Sequence, residues 1–522
     1  MKMTVSQAMV ECLKAENVKV VFGYPGAAIC PFYDALLDAE NDIRQVLVRQ
    51  EANGGHAANG YARISGKPAV CIATSGPGAT NLITAIATAY ADSIPIVCIT
   101  GQVNTDQIGS DVFQEADITG SAEPFVKHSY LLKNPEDTAR VFKEAFYIAG
   151  TGRPGPVLID IPMDVQKSVI DFEYPEKCEI RSYKPTTKGN YVQVRRVMAA
   201  LEEAEKPLIC IGGGVFAAHA ENEIRELADL MQIPVITTMM GISVFPDDDQ
   251  PFCGMIGTVN ECDVLFLVGA RVGDRAVKTP LALEKTTKII HIDIDPAEIG
   301  KNIGADLPLV GDAKLVLQQM TELAKPMKHD EWIAHIKTLG GERKYVEPAK
   351  GTVNPRVFID RLAKKMPANV TVVADVGQNQ IWTCTEYKFR KEGRLLTSGG
   401  MGTMGYSVPA AIGAKMADNS RATVAICGDG AFQMSFMELA TAVQFGVDIK
   451  VVVMTNNRLG MVRELQTNGY HDRQTAVFLD GSPDFIKLAE AYGIPAMRVY
   501  DDDTMDKGIE MLAEHKGICL VE

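Results

Sequence analysis

Gly428-Asp429-Gly430 sets one carboxylate between two glycines at the end of an apolar run, 422–426, and Asn456-Asn457 closes a second apolar run, 448–454. The stretch between them, 432–445, has helical spacing, so the segment predicts strand, helix and strand in succession. In a right-handed βαβ unit consecutive parallel strands are usually neighbours, which brings Asp429 and Asn456 to one carboxyl-end rim, within reach of a single ion. A carboxylate, an amide oxygen and a loop carbonyl are hard ligands that suit magnesium, which keeps further positions for phosphate oxygens and water. Gly428 and Gly430 let the backbone approach a diphosphate, and a helix start at Ala431 and Phe432 offers it free N–H groups. Each of these turn-like motifs alone is an ordinary turn signal; joined by one strand-helix-strand unit, they predict a diphosphate held on magnesium.

The elements that must position such a rim recur along the chain. Short apolar runs at 18–22, 43–48, 69–73 and 94–100 alternate with helical patterns at 28–40, 52–64 and 80–91. That density predicts a doubly wound parallel sheet, with ligands bound outside the carboxyl ends of its strands. A charge-rich stretch without period, 174–188, reads as a linker, after which strands are expected at 207–211, 234–238, 262–268 and 288–294. A second irregular stretch, 325–355, precedes a block with strands at 370–374, 422–426 and 449–454. Three α/β domains follow, at 1–170, 190–325 and 355–522, as expected for 522 residues, more than one hydrophobic core usually organises.

With 46% hydrophobic and 23% charged residues the composition excludes wholesale disorder and a polytopic membrane protein. Fifty-two basic against 66 acidic residues give a formal charge of -14, and no basic run matches a phosphate backbone or an anionic membrane, so neither is an expected partner. The eleven cysteines lie mostly singly in apolar runs without metal-type spacing, and read as small core residues of a reducing cytoplasm. Met1 to Ser6 leads straight into a helical pattern with no apolar signal core.

Gly428-Asp429-Gly430, followed after 25 residues by Asn456, resembles the thiamine diphosphate signature. The resemblance extends over nearly the whole chain to the acetolactate (acetohydroxyacid) synthase large catalytic subunits, through Phe22-Gly23-Tyr24-Pro25-Gly26, Gly55-His56-Ala57-Ala58-Asn59-Gly60-Tyr61-Ala62-Arg63, Thr74-Ser75-Gly76-Pro77-Gly78-Ala79-Thr80-Asn81, Phe113-Gln114-Glu115, His291-Ile292-Asp293-Ile294-Asp295-Pro296 and Gly402-Thr403-Met404-Gly405-Tyr406. It implies a carboligase that joins a pyruvate-derived hydroxyethyl carbanion to a second 2-oxo acid, giving 2-acetolactate for branched-chain amino acid synthesis. Glu51 matches the glutamate that drives tautomerisation of the aminopyrimidine, and Met404 the apolar wedge that bends the cofactor. The resemblance also assigns Pro25, Gly377, Gln378, Asn379, Gly402, Ala431, Leu459, Gly460 and Met461 to cofactor contacts, with Asp429, Asn456 and Arg458 on the ion. Gly26, Phe113, Gln114 and Arg275 join Glu51 in the reaction, with Arg275 holding the second 2-oxo acid. In this family pyrimidine and diphosphate contacts meet across subunits, implying a homodimer or homotetramer, to which a regulatory small subunit can be added.

Departures cluster around the second substrate. Gln50 stands where the family commonly has histidine, Ala27 replaces a glycine, Asn104 a proline, Met163 a lysine and Leu465 the active-site tryptophan. The resemblance further implies a flavin dinucleotide without redox role, through Arg153, Gly212, Gly213, Gly269, Ala270, Arg271, Asp293 and Asp312. Against it, the loop after Gly254-Met255-Ile256-Gly257 lacks the family's Gly-Met-His-Gly continuation, so an empty site or another nucleotide is the competing reading. The chain stops at Leu520-Val521-Glu522, an expected strand end, where the family continues with a tail. Another thiamine diphosphate-dependent 2-oxo acid decarboxylase, lyase or hydrolase on the same fold is the alternative to the carboligase. A paralogue without turnover is disfavoured by the intact Glu51, Asp429 and Asn456.

Overall fold

A computed structural model describes residues 1–255, 257, 260–273, 283–341 and 345–522. Its first sheet joins β2 (Val20–Tyr24), β3 (Arg44–Leu47), β4 (Ala69–Ala73), β5 (Ile96–Gln102), β6 (His128–Leu131) and β7 (Val157–Pro162), in the spatial order β3-β2-β4-β5-β7-β6, all pairs parallel. Its central strands β4, β5 and β7 are buried at every residue, which is why they read as continuous apolar runs rather than alternating ones. Ahead of this sheet, β1 (Lys2–Thr4) pairs antiparallel with β8 (Val169–Asp171). The helix expected at the start therefore follows a short strand, and Thr4 caps it reciprocally with Gln7.

By contacts the chain forms two compact units. The first and third sheets share one, made of 1–182, 371–380 and 396–522; the other comprises 183–370 and 381–395. The third sheet contains β15 (Thr371–Ala374), β16 (Arg394–Thr397), β17 (Thr423–Gly428), β18 (Lys450–Met454), β19 (Ala496–Met497) and β20 (Cys519–Val521), ordered β16-β15-β17-β18-β20-β19. What unites the first and third sheets is a helix pair, Glu51–Ser65 on Ser407–Ala417. A Cβ on Gly60 would lie 2.0 Å from the Ala410 carbonyl oxygen, and one on Gly413 1.8 Å from that of Ala57, so these helices touch backbone to backbone.

In the second unit β9 (Pro207–Ile211), β10 (Val235–Thr237), β11 (Phe252–Gly254), β12 (Val264–Val268), β13 (Lys288–Asp293) and β14 (Leu307–Val310) form a parallel sheet ordered β11-β10-β9-β12-β13-β14. The expected irregular stretch 325–355 is corrected here: it contains the helix Asp330–Leu339, which buries Trp332, Ile333 and Ile336. The Trp332 indole N–H donates to the Pro207 carbonyl oxygen at 2.9 Å. Charged residues around those three apolar ones hide the period.

Two further expectations change. The single helix expected over 432–445 is three pieces: one turn at Asp429–Phe432, a 3-10 turn at Phe436–Glu438 and a helix at Leu439–Phe445. The helix start expected at Ala431 therefore falls at Asp429, and β17 runs on to Gly428. The cysteines are mostly buried, as expected of core residues, but Cys30 is exposed at a helix start. No helix among the described residues is long and apolar enough to cross a membrane.

Candidate active site

β17 and β18 pair in register with Gly428 opposite Met454, so the loops that follow them start side by side. Asp429 is buried, and its carboxylate faces across that gap. Oδ1 accepts the Gly430 N–H at 2.9 Å; Oδ2 accepts those of Asn456 at 3.1 Å and Asn457 at 2.6 Å. Asn457 is left-handed, φ 53°, which turns the chain so that both amides converge on one oxygen. The Asn456 side-chain oxygen accepts the Arg458 N–H at 2.9 Å. Burial pushes the Asp429 carboxyl above its ordinary range even though the three amide bonds pull it down, so a cation at this rim would relieve an existing electrostatic cost.

Most of the remaining residues assigned to the cofactor converge on the same place. A Cβ on Gly460 would lie 2.2 Å from Gln378 Oε1 and 3.1 Å from Asn456 Nδ2, and one on Gly428 3.4 Å from Asn379 Oδ1. Gly377, at φ 144°, faces that same Asn379 oxygen. A Cβ on Gly430 would meet Leu459 Cδ2 at 2.8 Å and Met404 Cε at 3.5 Å. Gly402 is left-handed at φ 70°, Ala431 is buried, and Met461 is half-buried in the first turn of helix Gly460–Gly469. Arg458 lays its guanidinium 4.4 Å from the Phe478 ring centre. This glycine-lined cradle, with a carboxylate and an amide oxygen, fits a diphosphate on magnesium. Among the described residues no cluster of three or more His, Cys, Asp or Glu is placed to hold an ion.

Glu51 opens the helix after β3, and Gln50 caps that helix by accepting the Asn53 N–H at 3.2 Å. The histidine-to-glutamine departure thus has a local structural use. Glu51 Oε2 accepts from Asn81 Nδ2 at 2.9 Å, and Oε1 lies 3.3 Å from where Gly78 would carry a Cβ. Thr74 stands between Gly26 and Gly78, 2.5 and 2.8 Å from their would-be Cβ atoms, and its buried hydroxyl has no hydrogen-bond partner among the described residues. Gly76, at φ 58°, is closed over by Gln114, itself at φ 62°. An ionisable carboxylate beside an unpartnered buried hydroxyl and three close-packed glycines fits a planar polar ring. Pro25 is exposed at this edge, and Phe113 is 87% exposed on the loop before Gln114.

Sequence reasoning missed Glu438. This buried carboxylate accepts the Arg49 N–H at 2.9 Å, Asn53 Nδ2 at 3.0 Å and the Thr441 hydroxyl at 2.6 Å, so it holds the chain on both sides of Glu51. Its signal was an acid inside the apolar run Phe436-Met437-Glu438-Leu439. Asp375 was missed as well; it accepts the N–H groups of Gly405 and Ser407 at 3.0 and 2.8 Å and so fixes one end of the Met404 loop.

The residues assigned to a flavin find local work. A Cβ on Gly212 would lie 2.3 Å from the Gly269 carbonyl oxygen, so these glycines let two loops cross, while Gly213 packs on Met240 and Ala270 is buried. The Arg271 carbonyl accepts from Asn302 at 2.8 Å, Asp293 accepts the Asp295 N–H at 2.9 Å, and Asp312 caps the helix Ala313–Thr321. In the other unit, Arg153 Nε donates to Ser93 Oγ at 2.9 Å. None of these placements requires a flavin. Arg275 lies outside the described residues, as does part of the shortened loop, at 256, 258 and 259. Met163 begins the short helix Met163–Lys167, and Leu465 is 61% exposed on helix Gly460–Gly469.

Comparison with known proteins matches 3–121 to the thiamine pyrophosphate enzyme N-terminal TPP binding domain, 194–320 to the central domain and 375–522 to the C-terminal TPP binding domain. The chain is 43% identical to a probable acetolactate synthase large subunit of Methanocaldococcus jannaschii, over 97% of this chain and 89% of that protein. It is 42% identical to the acetolactate synthase large subunit of Corynebacterium glutamicum, over 95% and 83%. It is also 42% identical to an acetolactate synthase of Arthrospira platensis, over 100% and 94%.

Proposed function

Because the chain belongs to the thiamine pyrophosphate enzymes, and within them to the acetolactate synthase large subunits, we propose that its two residue clusters are complementary halves of the active site. Its activity is that of a thiamine diphosphate-dependent acetolactate synthase, a carboligase acting on 2-oxo acids. The relatives reported above all carry that activity in their names, and none favours the decarboxylase, lyase or hydrolase alternative.

Bound here, thiamine diphosphate would supply the electron sink that decarboxylation of a 2-oxo acid requires. Asp429, Asn456 and the Arg458 carbonyl would hold magnesium, and Gly377, Gln378, Asn379 and the backbone from Gly428 to Ala431 would receive the diphosphate. Met404, with Leu459 beside it over Gly430, provides the apolar wedge. Glu51 Oε holds and returns the proton that sets the tautomer of the pyrimidine ring, steadied by Asn81 and by Glu438 acting on the flanking backbone. Gly26, Phe113 and Gln114 form the substrate side, and Arg275 receives the acceptor carboxylate. Phe113, an apolar ring in solvent, is placed to close on a bound substrate or a second subunit.

The assembly proposed is a homodimer or a pair of dimers, in which Glu51 of one chain serves the rim of the other. The phrase large subunit in the relatives' names supports a regulatory small subunit as partner. A flavin dinucleotide in the second unit is proposed with the local structural uses of its candidate residues weighing against it; visible flavin absorbance in the purified protein decides it. Cytoplasmic location is likewise a proposal, resting on the pattern of single, mostly buried cysteines.

The observation that carries this function is the Asp429 carboxylate held at the β17–β18 rim by the amides of Asn456 and Asn457. Asp429→Ala should lose the thermal shift given by thiamine diphosphate with magnesium and, with it, acetolactate formation from pyruvate. A full shift in that variant would place the ion elsewhere.

A further inference from the structure

Helix Ile83–Asp92 ends on a carboxylate, although the carboxyl end of a helix repels negative charge. The Asp92 side chain is 0% exposed and that of its partner Arg63 8%, so the pair lies out of water, with Arg63 Nη2 2.8 Å from Asp92 Oδ2. Desolvation makes such a pair expensive unless its remaining lone pairs are used. Here they are. Asp92 Oδ1 accepts the Gly400 N–H at 2.7 Å and Oδ2 that of Gly399 at 3.3 Å. A Cβ on Gly400 would lie 2.8 Å from the Ala91 carbonyl oxygen, so only glycine lets the loop come this close. One turn back on the same helix, the Thr88 hydroxyl bonds that of Thr403 at 2.7 Å. Arg63 is fixed in turn by Asn59 Oδ1 at 2.9 Å, an oxygen that also accepts the Tyr406 hydroxyl at 2.8 Å.

The loop from Ser398 to Tyr406 is therefore suspended between two buried carboxylates. Asp375, from the third sheet's own end, takes the amides of Gly405 and Ser407; Asp92, from the first sheet's helices, takes those of Gly399 and Gly400. Met404 lies between these anchors and reaches over Gly430.

We propose that Asp92, balanced by Arg63, is a positioning residue for Met404, through which the N-terminal domain sets the shape of the thiamine diphosphate cradle in its own chain. This rests on the reading of Met404 as a cofactor contact. Asp92→Asn keeps the shape of the side chain but turns one acceptor into a donor facing Arg63 and the glycine amides, so the loop loses its anchor.

The test is calorimetric titration of thiamine diphosphate, with magnesium, into the unmodified protein, Asp92→Asn, Met404→Ala and the double variant. The expected result is cofactor affinity weakened about tenfold or more by each single substitution, with little added by the second, because the two act through one contact. Thr88→Val, a milder change that keeps side-chain volume, should weaken binding a few-fold, and that effect should also vanish in the Met404→Ala background. Unchanged affinity in folded Asp92→Asn and Thr88→Val, or effects that multiply with that of Met404→Ala, would overturn the proposal. No binding by the unmodified protein would instead overturn the functional reading on which it rests.

Discussion

Asp160 is an acid in the interior of β7, 1% exposed, with Oδ1 accepting the Thr100 hydroxyl at 2.7 Å and Oδ2 accepting from Gln102 Nε2 at 2.9 Å. Burial pushes its carboxyl up to about 7. In the unfolded chain the same group ionises near its ordinary value of about 4, so between those limits unfolding releases a proton. Its contribution to stability is full below about pH 4 and is lost as pH rises to about 7. Asp160→Asn should remove that slope, measured as the urea midpoint at pH 4.5, 5.5 and 6.5 (roughly the window set by the two values); identical slopes in both proteins would refute the assignment. Gln102 Nε2 also donates to the Ala116 carbonyl oxygen at 2.8 Å, which links this acid to the loop carrying Phe113 and Gln114. Leu465, exposed on helix Gly460–Gly469, carries a directional prediction. It stands where the family resemblance places a tryptophan that touches the extra methyl of 2-oxobutyrate, and losing such an apolar contact forfeits on the order of 1 to 2 kcal/mol, or about 5- to 30-fold in selection. In competition between equal pyruvate and 2-oxobutyrate as acceptors, the unmodified protein should show little preference and Leu465→Trp a higher ratio of acetohydroxybutyrate to acetolactate. A ratio far above one before substitution would mean that another residue fills the tryptophan's place.

At the scale of elements, the informative contact is the pair of helices Glu51–Ser65 and Ser407–Ala417. The first contains Asn53-Gly54-Gly55 and Asn59-Gly60, residues that weaken a helix in isolation, and its spacing alone gave the helix but not the reason for its glycines. The reason is the neighbour: Gly60 and Gly413 each face a carbonyl of the other helix at a distance no side chain tolerates. Gly413→Ala should cost about 1 to 3 kcal/mol by forcing these helices apart, seen as a lower thermal midpoint with secondary structure retained. An unchanged midpoint would mean the helices can separate freely. The broken helix after Asp429 makes the converse point. Its apolar spacing over 432–445 predicted continuity, whereas the observed breaks bring Glu438 round to the turn beside Glu51, a long-range demand that local spacing does not encode.

For the whole molecule, the proposed sharing of Glu51 and Asp429 between chains gives a complementation test. Glu51→Gln and Asp429→Ala homomers should each be nearly inactive, yet a mixture that exchanges subunits should regain roughly a quarter of native activity, since half the assemblies are mixed and each of those rebuilds one native site of two. Acetolactate formation after co-refolding reads the result, and a mixture as inactive as its components would show that each chain completes its own site. The sequence by itself determined the parallel α/β architecture, because strands buried on both faces must be continuous apolar runs, and it located the Asp429–Asn456 rim, because adjacent parallel strands end together. It also named Glu51, though only by resemblance, since an acid at a helix start is common on its own. The helix Asp330–Leu339 was hidden by its charges; Glu438 and Asp160 were marked only as acids inside apolar runs, which says nothing of their partners, and Asp375 and Asp92 carried no such mark. The tertiary structure alone decided those four: a buried carboxylate is tolerable only where donors from distant segments converge on it, and that convergence is fixed by how helices and sheets pack.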